Sequence, residues 1–215
     1  MRILIADDHG IVRQGLRGLL EEEPDWKVVG EASDGRTAVE TAKQLCPDLV
    51  IMDITMPGLN GVDATRQILD HNPKAKVIVL SVHAEPNIIR DTLDAGALGY
   101  VLKTYLFDDL RSAIRSAAAG NHYLSPAIAG VVVSEYVHGG SADQSGSFRL
   151  LTSREREIIQ LIAEGKTTKQ VALTLHLSHK TADSARRAAM AKLGISSVAE
   201  LTKFAIREGI TSVGC

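Results

Sequence analysis

The chain has 215 residues, 45% of them hydrophobic, which is enough apolar material for one large domain or two small ones. It has no run of about 18 consecutive apolar residues, which argues against a membrane span. Its start, MRILIADDHG, lacks the basic and long apolar segments of a secretory signal. We therefore expect a cytoplasmic protein with no membrane partner. Neither Cys46 nor Cys215 belongs to a disulfide framework or a metal motif, and Cys46 is expected in the core.

The net charge of −2 is distributed unevenly along the chain. Residues 1–120 hold 13 Lys/Arg and 18 Asp/Glu, whereas residues 148–215 hold 11 Lys/Arg and 6 Asp/Glu. A basic end beside an acidic end is typical of a nucleic-acid-binding domain joined to another domain. A near-neutral chain can also acquire such an uneven charge distribution by chance. Charge alone therefore does not establish a nucleic-acid-binding domain.

The first 120 residues alternate between two patterns. Segments with helical spacing cover residues 11–20 and then about 36–46, 61–71, 86–95 and 106–119. Between them lie short runs that are apolar nearly throughout, as in strands buried on both faces: Arg2–Ala6, Lys27–Gly30, Leu49–Met52, Lys76–Leu80 and Gly99–Leu102. This order predicts a flavodoxin-like, doubly wound, five-stranded parallel sheet over residues 1–120.

The character of the sequence changes after residue 120. We predict a linker over residues 121–147, because residues 138–147 are rich in Gly and Ser, and Ser125–Val137 permits a short helix after Pro126. From Leu151 the pattern is wholly helical. Capping boxes at Thr152/Glu155 and Ser197/Glu200, with Ser178 as a further cap, predict four short helices. Residues 148–215 are therefore expected to form a small all-α domain.

Polar side chains follow four of the predicted strands. The first strand ends at Asp7 and Asp8, the third at Asp53, the fourth at Ser81 and the fifth at Lys103. Because ligands bind at the carboxyl edge of such sheets, these five side chains should converge. Three carboxylates repel one another and need a cation, for which Mg²⁺ suits an oxygen-rich site. Asp53 can then attack phosphorus as a nucleophile, while Lys103 and Ser81 contact the phosphoryl oxygens.

These positions resemble the receiver domain of two-component signalling over about residues 1–120. The matching motifs are Asp7-Asp8, LVIMDITMPGLNG around Asp53, VIVLSVH around Ser81, and GYVLK ending in Lys103. The resemblance implies that Asp53 accepts a phosphoryl group from a cognate sensor histidine kinase. It also implies that Asp8, Asp53 and the Thr55 carbonyl hold Mg²⁺, with Asp7 acting through its water shell. Tyr100 matches the switch aromatic of that family, although a strand Tyr is as often a core residue.

The C-terminal segment has the parts of a helix-turn-helix module. From LLTSREREIIQLIAEGK to KLGISSVAELTKFAIREGI it resembles the LuxR-type domain of NarL/FixJ response regulators. The resemblance implies binding to double-stranded DNA and a homodimer after phosphorylation. The residues expected at the DNA are Lys169, Lys180, Thr181, Asp183, Ser184, Arg186, Arg187 and Lys192.

The expected recognition helix departs from the family pattern. Asp183 stands where Lys is frequent and would repel phosphate unless it reads a cytosine amino group. Five alanines leave the helix short of long side chains: Ala182, Ala185, Ala188, Ala189 and Ala191. Two explanations are open. The interface is sparse and depends on Arg186, Arg187 and Lys192, or the alanines are engineered truncations.

Two rival functions compete with a DNA-binding response regulator. One is a small phosphatase or phosphotransferase with Asp53 as a turnover nucleophile, but the basic helical tail is a poor substrate-selecting cap. The other is a protein-interaction regulator whose C-terminal helices bind DNA weakly or not at all. The alanine-rich helix is the best support for this second rival.

Overall fold

The structure, a computed structural model, describes residues 1–137 and 150–211, without the side chains of residues 105–108. The described residues fall into two compact units on either side of residues 138–149. The predicted Gly/Ser-rich segment at 138–147 lies outside the described residues. Among those that are described, no helix is both long and apolar enough to cross a bilayer.

The first unit contains the predicted alternation of strands and helices. Its strands are β1 (Arg2–Ala6), β2 (Lys27–Ala32), β3 (Leu49–Asp53), β4 (Lys76–Ser81), β5 (Gly99–Leu102) and β6 (Tyr123–Leu124). Its α-helices are α1 (Gly10–Glu21), α2 (Gly35–Leu45), α3 (Gly61–His71), α4 (Pro86–Asp94), α5 (Leu106–Ala118) and α6 (Pro126–Val137), with a 3₁₀ turn at Lys103–Tyr105. The sheet is parallel, in the order β2-β1-β3-β4-β5-β6. The doubly wound fold is confirmed.

Two separate cores explain why the strand sequences are apolar nearly throughout. Successive side chains of a strand point to opposite faces of the sheet. Leu4, Val50 and Val77 therefore pack in one core, to which α2, α3 and α4 contribute. Ile5 and Ile51 pack in the other, to which α1 and α5 contribute.

The sheet has one strand more than the five predicted. β6 pairs with β5, and the buried Ser125 hydroxyl accepts a hydrogen bond from Leu102 N at 3.2 Å. The following helix, α6, buries Ile128 completely and packs against α4, where Arg90 and Glu135 form a 2.7 Å ion pair. Residues 123–137, placed by the sequence in the linker, thus lie within the first unit. The sequence concealed this because α6 is apolar on nearly every face and lacks amphipathic periodicity.

The described part of the second unit, residues 150–211, is a four-helix module, as predicted. Its helices are α7 (Ser153–Ala163), α8 (Thr168–Thr174), α9 (His179–Leu193) and α10 (Val198–Arg207). Both predicted capping boxes form, and Ser178 accepts from Thr181 N to cap α9. A further box at Thr167 and Gln170 begins α8. Side chains of all four helices share one core, which fixes α8 and α9 as consecutive helices of a helix-turn-helix.

Cys46 is not a core residue, contrary to expectation. It is exposed and caps the C-terminus of α2 with a left-handed backbone, at φ 44°. The surrounding apolar residues belong to α2 and β3, whereas position 46 itself is where the chain turns between them. This is a position that glycine normally occupies.

Candidate functional site

The predicted site residues of the first unit lie at one edge of the sheet. Asp7 and Asp8 follow β1, Asp53 ends β3, Ser81 ends β4 and Lys103 follows β5. These four strands are consecutive neighbours in the sheet. Because they are parallel, their carboxyl ends meet, and polar residues far apart in sequence become neighbours.

Lys103 joins two of the carboxylates. Its Nζ lies 2.7 Å from Asp53 Oδ2 and 2.8 Å from Asp7 Oδ2. The Asp7 side chain is fully buried and that of Asp53 is 4% exposed. A buried charge is tolerated only when it is paired, so the lysine holds together two carboxylates that would otherwise repel each other.

Burial and the neighbouring acids raise the pKa of Asp53 to about 6, although Lys103 opposes this shift. Burial by itself would lower the pKa of Lys103, but Asp53 and Asp7 outweigh it, and the net direction is upward. The lysine therefore remains a cation at neutral pH. The Asp53 carboxylate is ionised at that pH at a cost in stability, which makes it receptive to a further positive charge.

The acidic residues fit a divalent cation. Ligand atoms of Asp7, Asp8, His9 and Asp53 all lie within 4.8 Å of one another. Asp7 Oδ2 and Asp8 Oδ1 are buried, and their contacts in the described part of the chain are ion pairs with Lys103 and His9. Carboxylate oxygens are the ligands that a hard divalent cation prefers, and these two face the same cleft as Asp53. The sequence had not singled out His9, although it directly follows Asp8.

The loop after β3 is held tightly against Asp53. A Cβ at Gly61 would lie 1.9 Å from the Asp53 carbonyl oxygen, so only glycine fits at the start of α3. Gly61 N donates to Ile54 O at 2.7 Å, and the Asn60 side chain caps α3. Thr55 lies inside this closed loop, two residues beyond Asp53, and its carbonyl remains a predicted metal ligand.

Ser81 and Tyr100 are connected through the backbone of His83. The Ser81 hydroxyl accepts from His83 N at 2.9 Å, and the Tyr100 hydroxyl donates to His83 O at 2.9 Å. Tyr100 is fully buried, and burial raises the pKa of its phenol. Its ring therefore lies inward in this structure, and its hydroxyl holds the segment that leads into α4.

In the second unit, the predicted DNA-contacting residues occupy a single helix and its neighbour. Lys180, Thr181, Ser184, Arg187 and Lys192 are exposed on α9, and Lys169 is exposed on α8. Asp183 and Arg186 are half-buried on α9. His179, the first residue of α9, is also exposed and had not been singled out. Its place directly after the Ser178 cap was the available signal.

Three of the five predicted basic contacts are engaged within the unit. Asp183 pairs with Arg186 at 2.9 Å and with Arg187 at 2.8 Å. Lys192 pairs with Glu155, a member of the capping box of α7, at 2.8 Å. In the part of the chain that the structure describes, Lys169 and Lys180 have no ion-pair partner.

The five alanines of α9 do not share one environment. Ala182 and Ala189 are fully buried in the unit, and Ala185 is half-buried. Only Ala188 and Ala191 are exposed. Ala182 and Ala189 therefore do not account for a shortage of long side chains at the DNA, because those positions pack inward.

A sheet edge with buried acids and a lysine, followed by a separate helix-turn-helix module, is the architecture of a regulator with a nucleic-acid-binding type of output domain. Family comparisons agree with this class. Residues 3–115 match the response regulator receiver domain, and residues 149–205 match the bacterial regulatory proteins of the luxR family. The chain belongs to the response regulator family, in its LuxR-type branch, and is a two-component response regulator.

Relatives resemble the chain over nearly its whole length. It is 38% identical to the transcriptional regulatory protein LiaR of Bacillus subtilis, over 99% of this chain and 100% of that protein. It is 37% identical to the response regulator UvrY of Escherichia coli, over 98% and 95% respectively. Among solved structures, RcsB from Salmonella enterica serovar Typhimurium, bound to promoter rprA with a phosphomimetic, is 30% identical with a TM-score of 0.64. That match covers 95% of this chain and 97% of RcsB.

Proposed function

We propose that Asp53 accepts a phosphoryl group from a cognate sensor histidine kinase and that this modification controls binding of double-stranded DNA by the second unit. The observation that carries the proposal is the contact of Lys103 with both Asp53 and Asp7 at the carboxyl edge of the sheet. This arrangement gives a nucleophilic carboxylate, a fixed cation and further carboxylate oxygens in one cleft. The group reaches solvent at Asp8 and at His9, whose side chain is 63% exposed.

In the proposed transfer, an oxygen of Asp53 attacks the phosphorus of a kinase phosphohistidine. A P–O bond forms, the P–N bond breaks, and its electron pair stays on the imidazole nitrogen, which takes a proton. Lys103 moves its charge from Asp53 to the oxygens of the transferred group. Asp8, Asp53 and the Thr55 carbonyl would hold Mg²⁺, with Asp7 acting through its water shell, and the ion would supply charge neutralisation for the phosphoryl oxygens.

The signal leaves the site through Ser81 and Tyr100. A phosphoryl oxygen on Asp53 is a new acceptor for the Ser81 hydroxyl, which now accepts from His83 N. A change there alters the His83 segment that Tyr100 holds, and with it α4. Because Arg90 of α4 pairs with Glu135, the change extends to α6 and to the chain that follows it. We propose that this population shift favours a homodimer on DNA; one solved relative is described as two RcsB dimers bound to two parallel DNAs.

Phosphotransfer to the full-length chain tests the acceptor. The protein is incubated with Mg²⁺ and a small phosphoramidate donor, and intact mass is measured for the unchanged chain, Asp53→Asn and Asp70→Asn. Asp70 is an exposed carboxylate of α3 and serves as the matched control. We expect one hydroxylamine-sensitive phosphoryl group on the unchanged chain and on Asp70→Asn, and none on Asp53→Asn. Equal labelling of all three would reject Asp53 as the acceptor.

A second candidate function is a protein-interaction regulator with little DNA affinity. The ion pairs of Arg186, Arg187 and Lys192 favour it, because a paired cation contributes less to phosphate binding. A salt series with duplex DNA separates the two candidates. Phosphate contacts make affinity fall steeply with ionic strength. Electrostatic binding is strongest at the low-salt end of such a series, at about 50 mM. If the chain does not bind duplex DNA even there, the result favours the protein-interaction regulator.

A further inference from the structure

Asp183 lies at the centre of a three-residue charge cluster on the recognition helix. Its Oδ1 accepts from Arg186 at 2.9 Å, and its Oδ2 lies 2.8 Å from Arg187 Nη2. The spacings of three and four residues place all three side chains on one side of α9. Arg186, and to a lesser extent Arg187, lowers the pKa of Asp183, so the carboxylate is ionised at neutral pH.

The cluster changes what α9 offers to a phosphate backbone. Four cations lie on the helix, but two of them share the Asp183 carboxylate and Lys192 is paired with Glu155. Of the four cations of α9, only Lys180 has no ion-pair partner in the part of the chain that the structure describes. A DNA phosphate that contacts Arg186 or Arg187 must first displace Asp183 and then tolerate the carboxylate close by.

We infer that Asp183 is a specificity-determining residue, which holds Arg186 and Arg187 away from the phosphates of non-cognate DNA. The inference rests on the proposed DNA-binding function and adds a selection rule to it. At a site with a suitably placed cytosine, the N4 amino group donates to Asp183 in the major groove. The carboxylate then exchanges its arginine partners for a base, and the two guanidinium groups turn to phosphate. Non-cognate DNA has no cytosine at that position when Lys180 and its neighbours contact the backbone, so the arginines stay paired with Asp183.

This role differs from a merely weakened interface. A sparse interface lowers affinity for all sequences alike, whereas an internal competitor lowers non-specific binding and leaves cognate binding strong. A sparse interface and an internal competitor are distinguished by the ratio of specific to non-specific DNA affinity. They also differ in the salt dependence of non-specific DNA binding.

The test uses the phosphorylated full-length chain, a random-sequence duplex and a duplex selected from a random pool with the unchanged protein. Affinity is measured by fluorescence anisotropy across salt concentrations for the unchanged chain, Asp183→Asn, Asp183→Glu and Glu208→Gln. Asn removes the charge with little change in shape, and Glu retains it at pairing distance. Glu208→Gln removes one negative charge from the same unit at a residue that pairs with Arg207, outside α9. It therefore controls for net charge.

We expect Asp183→Asn to bind the random duplex about tenfold more tightly at low salt, with a salt slope steeper by about one to two. Its specificity ratio should fall, and the cytosine preference of the selected site should disappear. Asp183→Glu and Glu208→Gln should stay within about threefold of the unchanged chain on random DNA.

Equal affinity of Asp183→Asn and Glu208→Gln for random DNA would overturn the inference, as would an unchanged cytosine preference. In both of these outcomes the proposed DNA-binding function survives, provided that the unchanged chain binds the selected duplex. If neither the unchanged chain nor Asp183→Asn binds any duplex, the proposed DNA-binding function fails, and the inference fails with it.

Discussion

The two units build their sites in opposite ways. In the first, side chains from the ends of four strands meet in a cleft where Asp7, Asp53 and Lys103 are at most 15% exposed. In the second, the candidate contacts lie along one helix, where Arg187 is 74% exposed. The first site exists only when the whole sheet has formed, whereas the second needs one helix and its support.

This difference determines how strongly each site is coupled to folding. A buried carboxylate loses its hydration, and its pKa and the free energy of unfolding are therefore linked. An exposed charge is screened by solvent, so changes there alter binding more than stability. Substitutions in the first site should change stability and chemistry together, and those at exposed positions of α9 should change DNA affinity alone.

The largest expected effect comes from Gly61, where the added Cβ of Gly61→Ala meets the Asp53 carbonyl oxygen at 1.9 Å. Backbone must shift to relieve that contact, so we expect a loss of about 3 kcal/mol or more in the free energy of unfolding. Phosphoryl labelling should fall as well, because the carbonyl that must shift belongs to Asp53. Urea denaturation at neutral pH measures the change.

Gly130→Ala is the matched control for that substitution. Gly130 lies inside α6, and a Cβ there meets nothing within 4 Å. Alanine should stabilise the helix by about 0.5–1 kcal/mol. If Gly61→Ala and Gly130→Ala change the free energy of unfolding by similar amounts, the loop after β3 tolerates displacement. The packing around Asp53 would then be less constrained than the distances indicate.

A smaller effect, which depends on pH, is expected at Asp53. Its pKa is raised from 3.8 to about 6, so the folded state favours the protonated form. The stability that this group contributes is present below about pH 4 and is lost as the pH rises through about 6.

The variant Asp53→Asn imitates the neutral form of Asp53 at every pH, and Lys103 keeps Asp7 as its partner. We expect the variant to be more stable than the unchanged chain by about 2 kcal/mol at pH 8.

Denaturation from pH 4 to pH 8 checks this window. The advantage of Asp53→Asn should vanish toward pH 4. At pH 8, Mg²⁺ should stabilise the unchanged chain and narrow the gap, because ligand binding to the folded state favours it. A gap that is constant across the pH range would contradict the assignment of the destabilisation to the buried Asp53 charge.

The sequence predicted most of the first site because parallel topology leaves few alternatives. Once the apolar runs are assigned to one parallel sheet, Asp7, Asp53 and Lys103 must end at the same edge. It predicted the short helix after Pro126, which α6 confirms, but it did not predict β6 or the packing of α6 into the first unit. A two-residue strand has no periodicity, and a uniformly apolar helix has no polar face to orient it. The tight fit of Gly61 was also hidden, because close approach of backbone depends on tertiary packing.

The charge state of α9 was predictable only in part. The pairs of Asp183 with Arg186 and Arg187 follow from local helical spacing, and sequence reasoning could have found them. The pair of Lys192 with Glu155 could not be found in this way, because it joins two helices whose packing is known only from the fold. The same holds for the alanines, where burial separates Ala189 from Ala188 although they are neighbours in sequence.

That separation provides the prediction with the smallest expected effect on stability. Ala188 is exposed, so Ala188→Lys should change the free energy of unfolding by less than about 0.5 kcal/mol. It adds a cation to the outer face of α9, and the salt slope of DNA binding should steepen by about one. Ala189→Lys, one residue further, buries the same charge without a partner and should cost about 3 kcal/mol or more in the free energy of unfolding.

If thermal melting shows both variants equally stable, α9 is not packed against the unit as its buried residues indicate. The contrast between a site that is coupled to folding and one that is not then disappears. If both are measured as expected but the salt slope of Ala188→Lys is unchanged, the outer face of α9 does not meet DNA.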